Sequence, residues 1–252
     1  MAADFRLDGR CALVTGAGRG LGLAMAIALA EAGADIAGVY VTAIDETRAR
    51  VEAAGRRFTA IREDLRGAAA ARRAVEQAVA ATGRLDILIN NAGIIRRADA
   101  IDFTEGDWDD VIDVNLKSVF FLAQAAARQF LAQGGGGKIV NIASVLSFQG
   151  GIRVAPYTAS KGGVLGLTRL LANEWAAKGI NVNAIAPGYM MTDNTAALRA
   201  DAARSSQILG RIPAGRWGQP EDLAGAVVFL CSSASDYMHG SVVTVDGGWL
   251  AR

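Results

Sequence analysis

Hydrophobic positions in this chain fall into short unbroken runs set between longer stretches of helical period. The runs are Ala12–Thr15, Ile36–Val41, Phe58–Arg62, Ile87–Asn90, Lys138–Ile142, Asn181–Ala186 and Val242–Val245. Most are rich in branched aliphatic residues and lack strict apolar–polar alternation. That pattern predicts strands buried on both faces. Between them, Leu21–Glu31, Ala68–Ala81, Trp108–Gln133, Tyr157–Lys178 and Glu221–Cys231 read as helices. Strand and helix in turn predict βαβ units with right-handed crossovers. The expected fold is α/β: a doubly wound, seven-stranded parallel sheet with helices on both faces. No linker or repeat interrupts it, so residues 1–252 are expected to form one domain. The glycine run Gly134–Gly137 reads as the end of a helix leading into a strand. Ligands of such sheets bind beyond the carboxyl ends of the strands, near the switch in strand order. Chemistry is therefore sought in the segments that follow strands.

Composition narrows the function classes. A hydrophobic content of 52% allows a sizeable core, and a formal net charge of +1 argues against a nucleic-acid or anionic-membrane surface. The chain has two cysteines, Cys11 and Cys231, far apart in sequence. They suggest a reducing compartment without a disulfide framework. The opening Met1-Ala2-Ala3-Asp4-Phe5-Arg6 has no apolar run, and no stretch approaches the ~18 apolar residues of a membrane helix. A cytoplasmic protein is expected. The single histidine, His239, removes Ser-His-Asp hydrolysis and leaves no ligand set for catalytic zinc, so no metal is expected.

The first strand runs into Thr15-Gly16-Ala17-Gly18-Arg19-Gly20-Leu21-Gly22 and then a helix. Glycines let backbone amides approach a diphosphate, and the helix N-terminus adds partial positive charge. After the fifth strand comes Ser144, and then Tyr157-Thr158-Ala159-Ser160-Lys161. On a helix, Tyr157 and Lys161 share a face. A free phenol titrates near pH ~10, and a neighbouring ammonium or a cationic nicotinamide would favour its ionised form.

The glycine spacing resembles the short-chain dehydrogenase/reductase family, and the likeness runs through almost the whole chain. It rests also on Asp64-Leu65, on Asn90-Asn91-Ala92-Gly93, on Asn115, Ser144, Tyr157 and Lys161, and on Pro187-Gly188. The resemblance implies a Rossmann-like oxidoreductase that moves a hydride between a nicotinamide dinucleotide and a carbonyl or secondary alcohol. It implies that Tyr157 transfers the proton, Ser144 polarises the reacting oxygen, Lys161 holds the nicotinamide ribose and Asn115 supports a water beside Lys161. Gly16, Arg19, Gly20, Leu21, Gly22, Asp64, Leu65, Asn91, Ala92, Gly93, Tyr157, Lys161, Pro187, Gly188 and Thr192 are the expected cofactor contacts. Relatives of this kind are usually tetramers. A homotetramer is expected, paired through Trp108–Gln133 and Tyr157–Lys178 and through the C-terminal tail, with Trp249 and Leu250 buried against a neighbour.

The choice of dinucleotide rests on the end of the second strand. NAD-selective sites place an acid there. Tyr40-Val41-Thr42 has neither an acid nor a base for a 2′-phosphate. Arg19 in the glycine turn is the nearest candidate for such a phosphate. NAD is the expected cofactor, with NADP admitted.

Three segments line the pocket of this fold: Ile94–Arg97, Ser147–Arg153 and Gly188–Thr192. Arg96, Arg97 and Arg153 suit a carboxylate, and Gln149 suits hydroxyls. With Ser144 and Tyr157, these residues predict a small polyhydroxylated acid as substrate. Within the family, Ile95-Arg96-Arg97, Leu146–Val154, Arg211–Gly218 and Asp246–Arg252 resemble members that act on deoxy sugar acids of uronate breakdown. The chain departs from them at Ala17-Gly18-Arg19 and Val39-Tyr40-Val41. A gluconate 5-dehydrogenase and a 3-oxoacyl carrier-protein reductase are the alternatives, and a dinucleotide sensor is the non-enzymatic one. Thr192–Arg211 is expected to act as a lid.

Overall fold

The computed structural model describes residues 4–252; Met1, Ala2 and Ala3, read above for a leader, lie outside them. Seven strands form one parallel sheet: β1 (Cys11–Thr15), β2 (Asp35–Tyr40), β3 (Phe58–Arg62), β4 (Ile87–Asn90), β5 (Gly137–Ile142), β6 (Ile180–Pro187) and β7 (Val242–Val245). Their order across the sheet is β3-β2-β1-β4-β5-β6-β7. The chain winds outward from β1 to β3 and then returns to lay β4 beside β1. The switch in strand order therefore falls between β1 and β4.

The helices are α1 (Gly20–Glu31), α2 (Asp45–Ala53), α3 (Ala68–Thr82), α4 (Glu105–Ile112), α5 (Ser118–Ala132), α6 (Ala155–Trp175), α7 (Ala196–Ala200), α8 (Ala202–Arg211) and α9 (Ala224–Cys231). The strands lack alternation because successive residues enter two different cores. Ala12 and Val14 of β1 pack with α1 and α9, in a layer holding Met25, Leu29, Val227 and Leu230. Leu13 between them packs on the other face, with Ala74 of α3, Leu122 of α5 and Leu171 of α6. Ile87 and Ile89 of β4 repeat the first choice, and Leu88 the second.

Two parts of the helix pattern differ from expectation. The single helix expected over Trp108–Gln133 is two, α4 and α5, joined by a π turn at Asp113–Lys117 that contains Asn115. Turns of this kind widen a helix locally and often mark functional sites. The chain also has α2, which carries no clear apolar stripe, and the short α7 and α8 within Thr192–Arg211. Only Thr47 and Val51 of α2 are buried, and only Ile208 of α8.

A buried polar chain fixes the register beneath the site. Asn90 and Asn141 are paired neighbours on β4 and β5. Asn90 Nδ2 donates to Asn141 Oδ1 at 2.9 Å, and Asn141 Nδ2 donates to Thr168 Oγ1 of α6 at 2.9 Å. Removing one member leaves buried groups without partners, at about 1–3 kcal/mol each. Asn141→Ala should therefore lower the unfolding free energy by about 2 kcal/mol, read by chemical denaturation. An unchanged denaturation midpoint would show that the chain of amides contributes nothing to stability.

Candidate active site

At the switch point, the ends of β1 and β4 are tied through one hydroxyl. Thr15 Oγ1 accepts from the main-chain N–H groups of Asn91 at 2.9 Å and Ala92 at 3.0 Å, and donates to Ile89 O at 3.1 Å. Asn91 Nδ2 returns a bond to Thr15 O at 2.8 Å. This holds the glycine turn against the Asn91–Gly93 loop. A Cβ at Gly22 would stand 2.1 Å from Gly16 O, and one at Gly18 would stand 2.0 Å from Ala43 O. Neither position admits a side chain. Arg19, at the start of α1, gives no side-chain cap, and the first turn of α1 has no acid. The leading amides of that helix are thus unclaimed by side chains and carry the dipole's partial positive charge. A bare, pressed turn opening a helix fits a dinucleotide diphosphate.

The other expected cofactor contacts ring the same cleft. Leu65 is buried after β3. Asp64 beside it is exposed and bonds Arg66 at 2.8 Å. Pro187 ends β6, and a Cβ at Gly188 would meet Asp246 Cα at 2.6 Å. Thr192 reaches back to the glycine turn, with Cγ2 3.5 Å from where a Cβ of Gly20 would lie. Arg19 Nη1 meets Asp193 Oδ2 at 2.9 Å, both side chains largely exposed.

Ser144 follows β5 and is buried, its Oγ accepting from Leu146 N at 3.1 Å. Ser147 Oγ donates to Lys161 O at 2.7 Å, which joins that loop to α6. Pro156 starts α6, so Tyr157 lies in the first turn and Lys161 one turn further on. Lys161 Nζ is buried, donates to Ile142 O at 2.6 Å and stands 5.7 Å from the centre of the Tyr157 ring. Burial brings its ammonium down to about 8. Burial pushes the Tyr157 phenol up; the Ser144 hydroxyl and then the Arg97 charge oppose this. From the sequence, Lys161 and a cationic nicotinamide are together expected to bring the phenol down. Burial outweighs the cation of the protein that acts on the phenol, which is Arg97.

Asn115 spends its side chain on the loop after β4. Its Oδ1 accepts from Ile94 N at 2.8 Å, and its Nδ2 donates to Ile94 O at 2.9 Å and to Ser160 Oγ at 3.4 Å. It grips the Asn91–Arg97 loop and α6 together.

The substrate candidates divide. Arg96 pairs with Asp110 at 3.0 Å and Asp107 at 3.4 Å. Arg153 sits at φ 62, the one non-glycine in left-handed backbone among the described residues, and pairs with Asp99 at 3.1 Å. Both forks are paired with acids along the rim, so a carboxylate would meet them only by displacing Asp110 or Asp99. Arg97 and Arg211 have no acid within ion-pair distance among the described residues. Arg97 Nη2 donates to Asn194 O at 2.7 Å, and Arg211 Nη2 donates to Gln149 Oε1 at 2.9 Å. Arg211, which opens the Arg211–Gly218 run, is absent from the sequence-level substrate candidates because it lies outside the three segments expected to line the pocket. Trp249 is also reassigned. It is buried within its own chain, against Tyr189 at a centroid distance of 4.5 Å and beneath Arg211.

A doubly wound sheet with this glycine cradle and this Ser–Tyr–Lys grouping defines an oxidoreductase that uses a nicotinamide dinucleotide. A family model described as Enoyl-(Acyl carrier protein) reductase matches residues 16–250. The 2-dehydro-3-deoxy-D-gluconate 5-dehydrogenase of Escherichia coli (strain K12) is 61% identical over 248 residues, 98% of each chain. The enzyme of the same name from Dickeya dadantii (strain 3937) is 62% identical over 248 residues, again 98% of each. A crystal structure of an Agrobacterium tumefaciens protein assigned as a 2-deoxy-D-gluconate 3-dehydrogenase, with bound NADP, superposes with a TM-score of 0.92 at 59% identity and 99% coverage of both chains. The chain belongs to the short-chain dehydrogenase/reductase family.

Burying the Lys161 charge has a consequence for stability. Its folded pKa of about 8 lies below the ordinary 10.5, so the unfolded chain binds this proton more tightly. Below pH ~8 the native state carries the full cost, on the order of 3 kcal/mol at ~1.36 kcal/mol per unit, and the cost fades as pH rises toward ~10.5. Lys161→Met should be more stable than the wild type at pH 7, with the gap closing above pH 8. Urea unfolding across that range checks this. A methionine variant that is less stable at every pH would show that the bond to Ile142 outweighs the burial cost.

Proposed function

We propose that the chain is a single catalytic unit that interconverts a keto group and a hydroxyl group on a deoxy sugar acid, with the activity of a 2-dehydro-3-deoxy-D-gluconate 5-dehydrogenase. The observation that carries this reading is the meeting of Ser144, Tyr157 and Lys161 beside the glycine cradle, with Arg97 and Arg211 free of acids at the rim. The two relatives of that name, at 61% and 62% identity, support the substrate class.

In this reading Gly16, Arg19, Gly20, Leu21 and Gly22 hold the diphosphate and its adenosine side, with Asp64 and Leu65 at the adenine. Asn91, Ala92, Gly93, Pro187, Gly188 and Thr192 hold the nicotinamide half. The dinucleotide supplies the hydride for reduction and accepts it for oxidation. During reduction, Ser144 Oγ donates a hydrogen bond to the reacting carbonyl oxygen. Tyr157 passes its proton to that oxygen as the new C–H bond forms. A phenol held up by burial keeps the proton ready for this direction. Oxidation runs the same path backward, with the phenolate stabilised by Lys161 and the oxidised ring. Lys161 also binds the nicotinamide ribose, and Asn115 keeps the loop after β4 in place.

NAD is the favoured dinucleotide. Tyr40 at the end of β2 offers no cation to a 2′-phosphate, and Arg19 must leave Asp193 to meet one. An exposed ion pair is worth at most about 1 kcal/mol, so NADP remains within reach.

An apolar groove of about 480 Å³ between α5 and α6, lined by Phe120, Leu131, Leu170 and Trp175, supports pairing of these helices with a second copy in a homotetramer. Cys11 and Cys231 are both buried and free, which suits a reducing cytoplasm.

Initial rates with 2-dehydro-3-deoxy-D-gluconate should fall at least a hundredfold in Tyr157→Phe, with dinucleotide affinity kept, as expected for removal of a general acid–base group. A fully active Phe variant would remove Tyr157 from the mechanism. For the cofactor, kcat/KM should favour NAD over NADP by less than about tenfold, and Arg19→Ala should weaken NADP alone. Equal loss with both dinucleotides would mean that Arg19 does not meet the 2′-phosphate.

A further inference from the structure

We propose that Arg211 is the specificity-determining residue that receives the substrate's carboxylate, and that Gln149 occupies its guanidinium until the carboxylate arrives. The proposal rests on the acid-substrate reading above and names the group that recognises the acid.

Arg211 ends α8, the last helix of the Thr192–Arg211 segment that crosses the cleft. Its guanidinium lies over the Trp249 ring at 4.1 Å from the centroid. Its Nη2 donates to Gln149 Oε1 at 2.9 Å, on the loop that begins at Ser144. No carboxylate pairs with it among the described residues, and the side chain is exposed. A guanidinium is weakly hydrated and stacks well on an indole, so Trp249 fixes its plane while leaving the remaining N–H donors open. The amide oxygen of Gln149 is a neutral acceptor. A carboxylate is the stronger, charge-assisted partner and can take a planar guanidinium with two bonds. Gln149 therefore keeps the fork oriented without competing well against an acid.

The rest of the site distinguishes Arg211 from Arg97. The Arg97 charge acts directly on the Tyr157 phenol, at the reacting end. Arg211 stacks on Trp249, whose ring packs on Tyr189 at a centroid distance of 4.5 Å, in the segment that follows Pro187-Gly188. Arg211 thus stands one residue further out along the wall. A sugar acid that reacts several bonds away from its carboxylate places that carboxylate outward in the same way. Tyr189 spans the two positions, packed on Trp249 and Trp217. The Trp249 indole N–H has no acceptor among the described residues, so stacking holds the ring. Trp249→Phe therefore removes no hydrogen bond and serves as a folded control with a weaker platform.

The test compares 2-dehydro-3-deoxy-D-gluconate with its neutral methyl ester in steady-state kinetics. In the wild type, the acid should have the lower KM. Gln149→Glu places a permanent carboxylate on Arg211. It should raise KM for the acid at least tenfold and abolish the preference for acid over ester. Arg211→Ala should bring the two KM values together, and Trp249→Phe should fall between. An Arg211→Ala enzyme that keeps the wild-type preference for acid over ester overturns the proposal. Calorimetry with D-gluconate and neutral D-glucitol separates this from the substrate reading. Should the wild type turn over neither ketone, the substrate reading fails, and equal gluconate affinity in wild type and Arg211→Ala would sink the subsite as well.

Discussion

One hydroxyl at the centre of the sheet organises the site. The chain must leave β1, travel outward through two strands and return beside β1 as β4, which opens a gap where the two strand ends diverge. Thr15 closes that gap with three hydrogen bonds, and Asn91 adds a fourth from the opposite side. The glycine turn is then pressed so closely on its surroundings that Gly18 and Gly22 have no room for a side chain. The cradle and the loop that faces it are thus one rigid unit. Further along the sheet, the Asn90–Asn141–Thr168 chain carries the register from β4 through β5 to α6. Tyr157 and Lys161 therefore take their positions from bonds made well below the cleft.

Holding Lys161 there works against stability. Its ammonium lies in the interior with one carbonyl as its polar partner among the described residues, and burial brings it to about 8. The Tyr157 phenol is pushed in the opposite sense by the same burial. Burial favours the neutral form of both groups, so each resists the charge that alcohol oxidation needs on it. A cationic ring beside the phenol would relieve that resistance. The proton balance of the site thus becomes a property of the loaded enzyme.

The arginines around the cleft show how position decides the role of one residue type. Arg96 and Arg153 meet acids on the rim, while Arg97 and Arg211 meet only neutral oxygens. Arg19 is tied to Asp193 in the segment that crosses the site, and Arg97 to Asn194 next to it. Arg19 and Arg97, from opposite sides of the cleft, are therefore both held against the same short stretch of chain. The C-terminal tail joins this group through Trp249, which supports Arg211 within the chain.

The strands, the parallel sheet and the cradle were legible from the sequence because they rest on local rules. A strand buried on both faces must be apolar throughout, and a turn against a diphosphate must be free of side chains. Ser144, Tyr157 and Lys161 were legible by their spacing after strands. Helix α2 was not, since it buries only Thr47 and Val51 and leaves almost no hydrophobic period, and α7 and α8 are too short to stand out from the segment around them. The division among the arginines was also invisible, because Arg96 and Arg97 are neighbours in the chain and differ only in what stands across from them. The sequence by itself determined the architecture and the chemical groups at the strand ends, since these follow from periodicity and backbone sterics. Only the tertiary structure decided which cations are left free and where Trp249 and Arg211 stand. Those outcomes depend on contacts between segments that are distant in sequence, and no local pattern encodes them.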